Sequence, residues 1–178
     1  MRIIAGTMKG RKLNTFKGND VRPTGDKVKE AIFSMIDAYL ENSVVIDLFS
    51  GTGSLGLEAI SRGASMCYFG DNRPESVRLT KSNIGICKAE AQSRVTAGSY
   101  EKTLSNIPEK ADVILLDPPF EKGLMESCFE MIRKLDLLSE DGIIVAEHGA
   151  REILPDTVSD FQKIKERKYG TILVSLYS

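Results

Sequence analysis

The chain has 178 residues, with 24 Lys or Arg against 25 Asp or Glu, one histidine and three cysteines. This length favours one domain with a core that needs neither disulfides nor metal. No apolar run approaches membrane-spanning length, and Arg2 and Gly6 leave no room for a signal-peptide core, so we expect neither feature. Widely spaced cysteines beside one histidine indicate buried thiols of a cytoplasmic protein and no metal site.

Positive charge is concentrated at the N-terminus. Residues 1–30 contain eight Lys or Arg and three Asp or Glu, which gives 8 − 3 = +5 and leaves −6 for the remainder. A basic arm on an acidic body is typical of nucleic-acid-binding proteins, although a solvated charged surface explains the charge alone equally well. We predict a basic hairpin arm over residues 1–22, with strands at 2–5 and 12–16, and a single globular unit over 23–178.

A glycine loop follows the first apolar strand of the globular unit. After an amphipathic helix, residues 44–46 form a strand that ends in Asp47, and GTGSLG at 51–56 leads into a second helix. Strand, glycine turn and helix form the mononucleotide-binding unit. Asp71 follows the second strand 20 residues after Gly51 (71 − 51), which suits an acid that binds a ribose diol. A capping role for Asp47 and Asp71 is the alternative.

The rest of the chain continues the alternation of strand and helix. Pro74 begins a helix, residues 94–97 form a third strand before Ser99 and Tyr100, and 112–116 form a strongly apolar fourth strand. Another helix, a fifth strand at 143–146 and a hairpin of strands at 162–168 and 171–176 follow. This order predicts an α/β fold: a doubly wound, mostly parallel, seven-stranded Rossmann-like sheet with a terminal antiparallel hairpin.

The fourth strand ends in Asp117-Pro118-Pro119-Phe120. Ligands of open α/β sheets bind beyond the carboxyl ends of the strands, so this segment and the glycine loop are expected to flank one crevice. Prolines have no N–H, so the carboxylate and neighbouring carbonyls form a rigid row of acceptors, and a phenyl ring offers a stacking face for a base. The segment therefore predicts a clamp for an exocyclic amine, with an ordinary turn as the alternative.

Several motifs in this order resemble one family. They are Asp47-Leu-Phe-Ser-Gly51-Thr-Gly53, Asp117-Pro-Pro-Phe120, Arg2-Ile-Ile-Ala-Gly6, Lys9-Gly-Arg-Lys-Leu13, Arg22-Pro-Thr24, Lys27-Val-Lys-Glu-Ala-Ile-Phe33 and Leu57-Glu-Ala-Ile-Ser-Arg-Gly-Ala64. From residue 2 to about residue 147 the sequence resembles the RsmD family of S-adenosylmethionine-dependent methyltransferases. The resemblance implies a class I methyltransferase fold and methylation of guanine N2 in bacterial small-subunit (16S) ribosomal RNA.

The resemblance also implies roles for individual residues. The catalytic segment is Asp117, Pro118, Pro119 and Phe120. The cofactor-binding residues are Asp47, Phe49, Gly51, Thr52, Gly53, Asp71, Asn72, Ser99 and Tyr100. The RNA-binding residues are Lys9, Arg11, Lys12 and Arg22. Ser99 departs from the family, which usually has an acid there to hold the adenine amino group. The expected partner is ribosomal RNA or an assembling subunit, and we expect a monomer without membrane or metal.

Three other functions are compatible with parts of the pattern. A DNA adenine-N6 or cytosine-N4 methyltransferase would use the same acceptor row, but 178 residues leave no room for a separate target-recognition domain. An RNA-binding module with a vestigial pocket would not need the intact glycines and aspartates. A nicotinamide-dependent oxidoreductase offers no use for Pro118, Pro119 and Phe120.

Overall fold

The computed structural model describes residues 1–18, 25–119 and 123–178. Its helices are α1 Asp26–Ile36, α2 Ser54–Ser61, α3 Pro74–Cys87, α4 Tyr100–Ser105 and α5 Leu124–Lys134, with short 3-10 turns at Asp37–Tyr39 and Glu90–Gln92. Its strands are β1 Val44–Leu48, β2 Met66–Asp71, β3 Ser93–Ala97, β4 Ala111–Leu116, β5 Leu138–Gly149, β6 Thr157–Val158, β7 Phe161–Tyr169 and β8 Ile172–Tyr177.

The strands form one sheet in the order β3-β2-β1-β4-β5-β8-β7-β6. The first five strands in this order are parallel, and β8, β7 and β6 add antiparallel pairs. The strand order reverses between β1 and β4, so the crevice beyond their carboxyl ends is the expected ligand site. The predicted doubly wound sheet with its terminal hairpin is confirmed.

The predicted count of seven strands is wrong, because the described residues form eight. The additional strand, β6, has only two residues, which pair with Phe161 and Gln162 at the start of β7. A two-residue strand is too short to show an alternation of side chains, so it cannot be predicted from the sequence pattern. It covers only the first part of the outer edge of β7.

The two strands predicted at 2–5 and 12–16 are reduced to a short antiparallel pairing. This segment contains a single antiparallel bridge, between Arg2 and Lys12. The backbone N–H groups of Ile4 and Ala5 donate instead to the carboxylate of Glu58 on α2, at 2.9 and 3.0 Å. A carboxylate that takes these donors prevents a longer ladder. Antiparallel backbone hydrogen bonds from Ile3 N–H to Arg11 O and from Leu13 N–H to Met1 O, both 3.0 Å long, still make the arm a short hairpin docked on α2.

A buried ionic cluster holds this arm in place. Glu58 is fully buried and lies 3.4 Å from Lys29 Nζ and 2.9 Å from Arg62 Nε. Lys29, which is also buried, donates to the Arg2 carbonyl oxygen at 2.6 Å. Because buried charges are costly unless they are paired, this arrangement fixes the arm against α1 and α2.

Two apolar cores lie on opposite faces of the sheet. One contains the arm residues Ile3, Met8 and Leu13 together with the apolar face of α1 and much of α2 and α3. The other is built around α5 and the aromatic pair Phe129 and Tyr177, whose ring centroids are 4.9 Å apart. Among the described residues, no helix is long and apolar enough to cross a membrane.

Candidate active site

A cavity of about 240 Å³ opens at the carboxyl edge of the sheet. Six of the predicted site residues line it: Phe49, Asp71, Asn72, Ser99, Tyr100 and Pro119. The structure therefore brings residues after β1, β2, β3 and β4 to one place. Leu48, Gly70, Gly98, Glu101, Thr103 and Leu124 complete the lining and were not predicted from the sequence.

The carboxylate of Asp71 shapes the glycine loop. One oxygen accepts the backbone N–H of Gly51 at 3.0 Å, and the other accepts the N–H of Arg73 at 2.9 Å. A carboxylate has about four lone-pair sites, so Asp71 can still accept hydrogen bonds from a ribose diol. Its position in the cavity wall thus leaves Asp71 able to fill the predicted binding role while it also caps the loop.

Two glycines of the loop meet different structural needs. Gly53 has φ +78° and lies directly before α2, a backbone conformation that disfavours any side chain. Gly56 lies against β2, where a Cβ atom would overlap the Phe69 ring and the Cys67 sulfur. The loop can therefore turn tightly while α2 packs directly on the sheet.

Asp47 lies beneath the loop rather than in the cavity lining. It is 2% exposed, and its carboxylate accepts the backbone N–H of Gly56 at 2.9 Å, in the first turn of α2. Burial raises the pKa of Asp47 to about 7, and the nearby charge of Asp71 adds to this increase. Asp47 is thus positioned to hold the loop against α2 and to provide negative potential below it.

Asp117 directly follows β4, the strand beside β1. Because Leu48 pairs with Leu116, Asp117 lies at the level of Phe49 on the neighbouring chain segment. Burial raises the pKa of the Asp117 carboxyl well above its usual range, and the charges of Glu147 and Asp47 raise it further. Pro118 is buried and Pro119 is exposed at the cavity, whereas Phe120 lies outside the described residues.

Aromatic side chains form one wall of the cavity. The rings of Phe49 and Tyr100 are tilted by 40° with centroids 6.4 Å apart. Phe49 has φ +67°, a conformation rare for a bulky residue and often found at functional sites. Together the rings provide an apolar surface suited to a planar heterocycle.

Ser99 and Glu101 lie together at the start of α4. The Ser99 hydroxyl accepts the backbone N–H of Lys102 at 3.3 Å, so it caps the helix. Glu101 lines the cavity two residues later, and hydrogen bonds from its own backbone and from Ser99 hold the pKa of its carboxyl below the usual range. Glu101 thus places an acid in the cavity lining two residues after the position at which the family usually has one.

The N-terminal arm also supports the glycine loop, which the sequence did not predict. Asn83 on α3 is fully buried, and its amide nitrogen donates to the carbonyl oxygens of Asn14 and Thr52 at 3.0 and 2.8 Å. The Thr52 hydroxyl contacts the Met1 sulfur at 3.3 Å. An uncharged asparagine inside a helix pattern carries no signal for such a contact.

The predicted RNA-binding residues occupy the outer side of the arm. Lys9 and Lys12 are exposed, whereas Arg11 is half-buried and donates to the carbonyl oxygen of Ile86 at 3.3 Å. Arg22 lies outside the described residues. Of the predicted RNA-binding residues in the described part of the arm, Lys9 and Lys12 are therefore the exposed ones.

His148 has a structural environment. One ring nitrogen lies 2.8 Å from the Glu152 carbonyl oxygen and the other 2.9 Å from the Ser175 hydroxyl. The ring is 2% exposed, so it has no access to the cavity as a base. The three cysteines are buried, and the described ranges contain no group of three or more metal-ligating side chains.

Comparison with known proteins places this geometry in a family. The family model described as "Conserved hypothetical protein 95" matches residues 1–178. The chain is 33% identical to the ribosomal RNA small subunit methyltransferase D of Haemophilus influenzae, over 99% of this chain and 93% of that one. It belongs to the RsmD family.

Two further matches agree with the RsmD family. Ribosomal RNA small subunit methyltransferase D of Escherichia coli strain K12 is 30% identical over 99% of this chain and 89% of its own length. The solved structure of the Escherichia coli protein yhhF superposes with a TM-score of 0.88 and 26% identity, covering 99% of this chain and 96% of that chain. The predicted family is thus confirmed along the whole chain, including the tail, where the motifs are less distinctive.

The cavity of this RsmD-family chain fits S-adenosylmethionine, the predicted cofactor. Its aromatic wall suits an adenine, Asp71 suits a ribose diol, and Glu101 suits an amino donor. The carboxylates of Asp47, which is buried, and Asp117, which is half-buried, favour a cationic group near them. These residues supply acceptors and an apolar face, the two features that the cofactor requires.

Proposed function

We propose that this protein transfers a methyl group from S-adenosylmethionine to the exocyclic N2 amine of a guanine in small-subunit (16S) ribosomal RNA. The observation that carries the proposal is the shared cavity, which Asp71 and Phe49 line from the glycine-loop side and Pro119 from the Asp117 segment. Membership of the RsmD family supports the same activity. Because the substrate is ribosomal RNA, we also propose a cytoplasmic location.

The cofactor-binding residues divide the cavity by chemistry. Asp71 accepts the ribose hydroxyls, Glu101 accepts the adenine amino group, and Phe49 and Tyr100 cover the heterocycle. Asp47 keeps the loop of Gly51 and Gly53 in place through α2 and contributes negative potential near the methionine end. When bound, the cofactor supplies an electrophilic methyl group on a sulfonium.

Asp117 and the carbonyls beside it position the amine of the target base. A guanine amine is a poor nucleophile because its lone pair is delocalised into the ring. Orientation of two reactants can lower a barrier by about 7 to 11 kcal/mol, whereas a general base contributes about 10² to 10⁴-fold, or roughly 3 to 6 kcal/mol. Alignment is therefore the main role of Asp117, and the proton leaves after nitrogen has become cationic.

The raised pKa of Asp117 affects the alignment step, because the ionised carboxylate is the better acceptor for the amine. Burial and the charge of Glu147 raise the pKa of the Asp117 carboxyl, and its protonated form has one acceptor site fewer. A cationic ligand group and an amine donor both favour the ionised form, so binding of the two substrates lowers this pKa.

The target base has to be unstacked before it reaches this cavity. The amine of a paired guanine is inaccessible within a helix, and side chains read RNA mainly at loops and splayed bases. The exposed cations of the arm, Lys9 and Lys12, are suited to holding the surrounding phosphates.

The decisive experiment maps the product. The full chain is incubated with methyl-labelled S-adenosylmethionine and unmodified small-subunit RNA, either bare or assembled with its ribosomal proteins, and the labelled nucleotide is identified by mass spectrometry. We expect N2-methylguanosine at a single position. Label in adenine or cytosine, or label in DNA under the same conditions, would contradict the proposal.

A further inference from the structure

The outer strand β7 carries a group of exposed cations. Lys165, Arg167 and Lys168 are exposed, and none of them forms an ion pair with any other described residue. Lys163 differs, because it lies 2.9 Å from Glu166 and 3.7 Å from Asp156. Three uncompensated positive charges on one strand of an otherwise acidic body require an explanation.

The register of the sheet connects these cations to Asp117. Leu116 pairs with Ala146, so the next residues, Asp117 and Glu147, lie side by side. Glu147 pairs with Val174, and Val174 pairs with Arg167. One row across the sheet therefore runs from Asp117 to Arg167, about 14 Å away at three strand spacings.

Arg167 also faces the same side of the sheet as Asp117. Val113 and Leu115 on β4 belong to the core that contains Val174, and side chains alternate along a strand, so Asp117 has the same parity. Directly paired residues of antiparallel strands lie on the same face of the sheet. Arg167, which pairs with Val174, and Lys165, which pairs with Leu176, therefore also lie on this side. The N-terminal arm packs on this face as well, through Ile3, Met8 and Leu13.

The outer edge of β7 is open beyond its first residues. β6 pairs with β7 only at Phe161 and Gln162, and within the described part of the chain no strand pairs with that edge from Ile164 onward. Free backbone N–H groups beside cationic side chains are well suited to phosphate oxygens. Lysines on an open edge also serve another purpose, since they discourage pairing with other chains.

We propose that Lys165 and Arg167 on β7 form a second RNA-backbone contact, on the opposite flank of the cavity from the N-terminal arm. This inference rests on the proposed function and adds to it the surface that orients the RNA on the far side of Asp117. RNA phosphates held by Arg167 lie a few nucleotides from a base at Asp117. The strand thus fixes the direction in which the RNA crosses the cavity.

The test compares two double charge reversals in the full chain. Lys165→Glu with Arg167→Glu removes the β7 contact. Arg94→Glu with Lys134→Glu is the matched control, because both residues are exposed, form no ion pair with any other described residue and lie near the amino ends of β3 and β5. Binding to the small-subunit RNA, bare and in particles, is measured between about 50 and 200 mM salt, together with methylation and the thermal shift induced by S-adenosylmethionine.

The β7 variant is expected to bind RNA roughly tenfold more weakly at low salt, with a salt slope smaller by about 1.4, which corresponds to two lost phosphate contacts on a single strand. Its thermal shift with the cofactor is expected to match that of the control. Equal RNA affinity and salt slope in the two variants, while wild type binds and methylates, would overturn the inference. A purely protective edge role predicts that equality, because glutamates discourage edge pairing as well.

Failure of the proposed function gives a different pattern. In that case wild type itself does not methylate either RNA substrate. If wild type methylates and both variants lose RNA affinity equally, net charge rather than the β7 surface controls binding, and the inference is again overturned.

Discussion

At the scale of single residues, Asp117 is the most informative position. If it aligns the amine, one remaining acceptor should preserve part of its function. We expect Asp117→Asn to retain more single-turnover activity than Asp117→Ala, by about tenfold or more, the equivalent of one net hydrogen bond of about 1.5 kcal/mol. Equal losses in single-turnover assays with enzyme in excess over RNA would contradict the alignment role. Because the pKa of Asp117 is raised, wild-type activity should also fall as pH decreases.

Glu101 provides a second residue-level prediction. It lines the cavity beside Ser99, where the family usually has an acid. We expect Glu101→Gln to weaken S-adenosylmethionine binding by roughly fivefold to tenfold, because the amide retains one acceptor but loses the charge-assisted hydrogen bond. Glu109, exposed and bonded to the Tyr68 hydroxyl outside the cavity lining, provides the control variant Glu109→Gln. Calorimetry that finds equal affinities for the two variants would exclude Glu101 from adenine binding.

Asp47 should make stability depend on pH. Burial raises its pKa from 3.8 to about 7, so between these values the folded state binds more protons than the unfolded state. The free energy of unfolding contributed by this group therefore decreases as pH rises from about 4 to about 7, by up to about 4 kcal/mol. Urea unfolding at several pH values should show this decrease in wild type and lose it in Asp47→Asn. Asp136→Asn is the control. Lys110 lowers the pKa of that exposed carboxyl, so the contribution of Asp136 to the free energy of unfolding increases with pH instead of decreasing.

At the scale of elements, the arm and α2 behave as one unit through Glu58. Its carboxylate accepts the N–H groups of Ile4 and Ala5 and pairs with buried Lys29. Glu58→Ala leaves that ammonium unpaired, so we expect a loss of about 3 to 5 kcal/mol in the free energy of unfolding. Glu30→Ala, at an exposed position on α1, should change it by less than about 0.5 kcal/mol. Chemical denaturation measures both, and similar small changes would mean that the arm is not held by this cluster.

The same elements show what the sequence could predict. β1 and β4 were recognisable as continuous apolar runs that end at Asp47 and Asp117, and the family motifs identified the glycine loop. The full length of β5 could not be predicted, because residues 138–142 include exposed Glu140 and Asp141 before Gly142 and look like a turn. In the structure Leu138 nevertheless pairs with Ala111. Long-range polar contacts also cannot be predicted from local sequence patterns.

The contacts of Asn83 illustrate this second limit. Its partner Asn14 is 69 residues away, and neither residue carries a charge or a motif. The strand-forming pattern of the arm was overridden in the same way by Glu58, 54 residues from Ile4. Local propensity decides an element only when no distant polar group competes for its backbone.

At the scale of the whole molecule, positive charge lies on both flanks of an acidic cavity. Lys9 and Lys12 are exposed on the arm, and Lys165 and Arg167 are exposed on β7. The strand order places β7 beyond β4, β5 and β8, whereas the arm packs on α2 and α3 beside β1 and β2. An RNA that crosses the cavity between these flanks can contact both, while its target base enters at Asp117.

This arrangement predicts additive effects of the two flanks. Lys9→Glu with Lys12→Glu should weaken RNA binding and methylation but leave cofactor affinity unchanged, since both side chains are exposed and neither lines the cavity. When the arm reversal is combined with the β7 reversal, the two losses of RNA-binding free energy should add within about 0.5 kcal/mol. The reason is that the two sites are distant and share no protein partner. If one RNA segment bound only one flank, the combined variant would instead bind as weakly as the worse double variant. Salt-dependent binding isotherms of the wild type and the three variants distinguish these outcomes, because the slopes should decrease in equal steps only when both flanks hold phosphates.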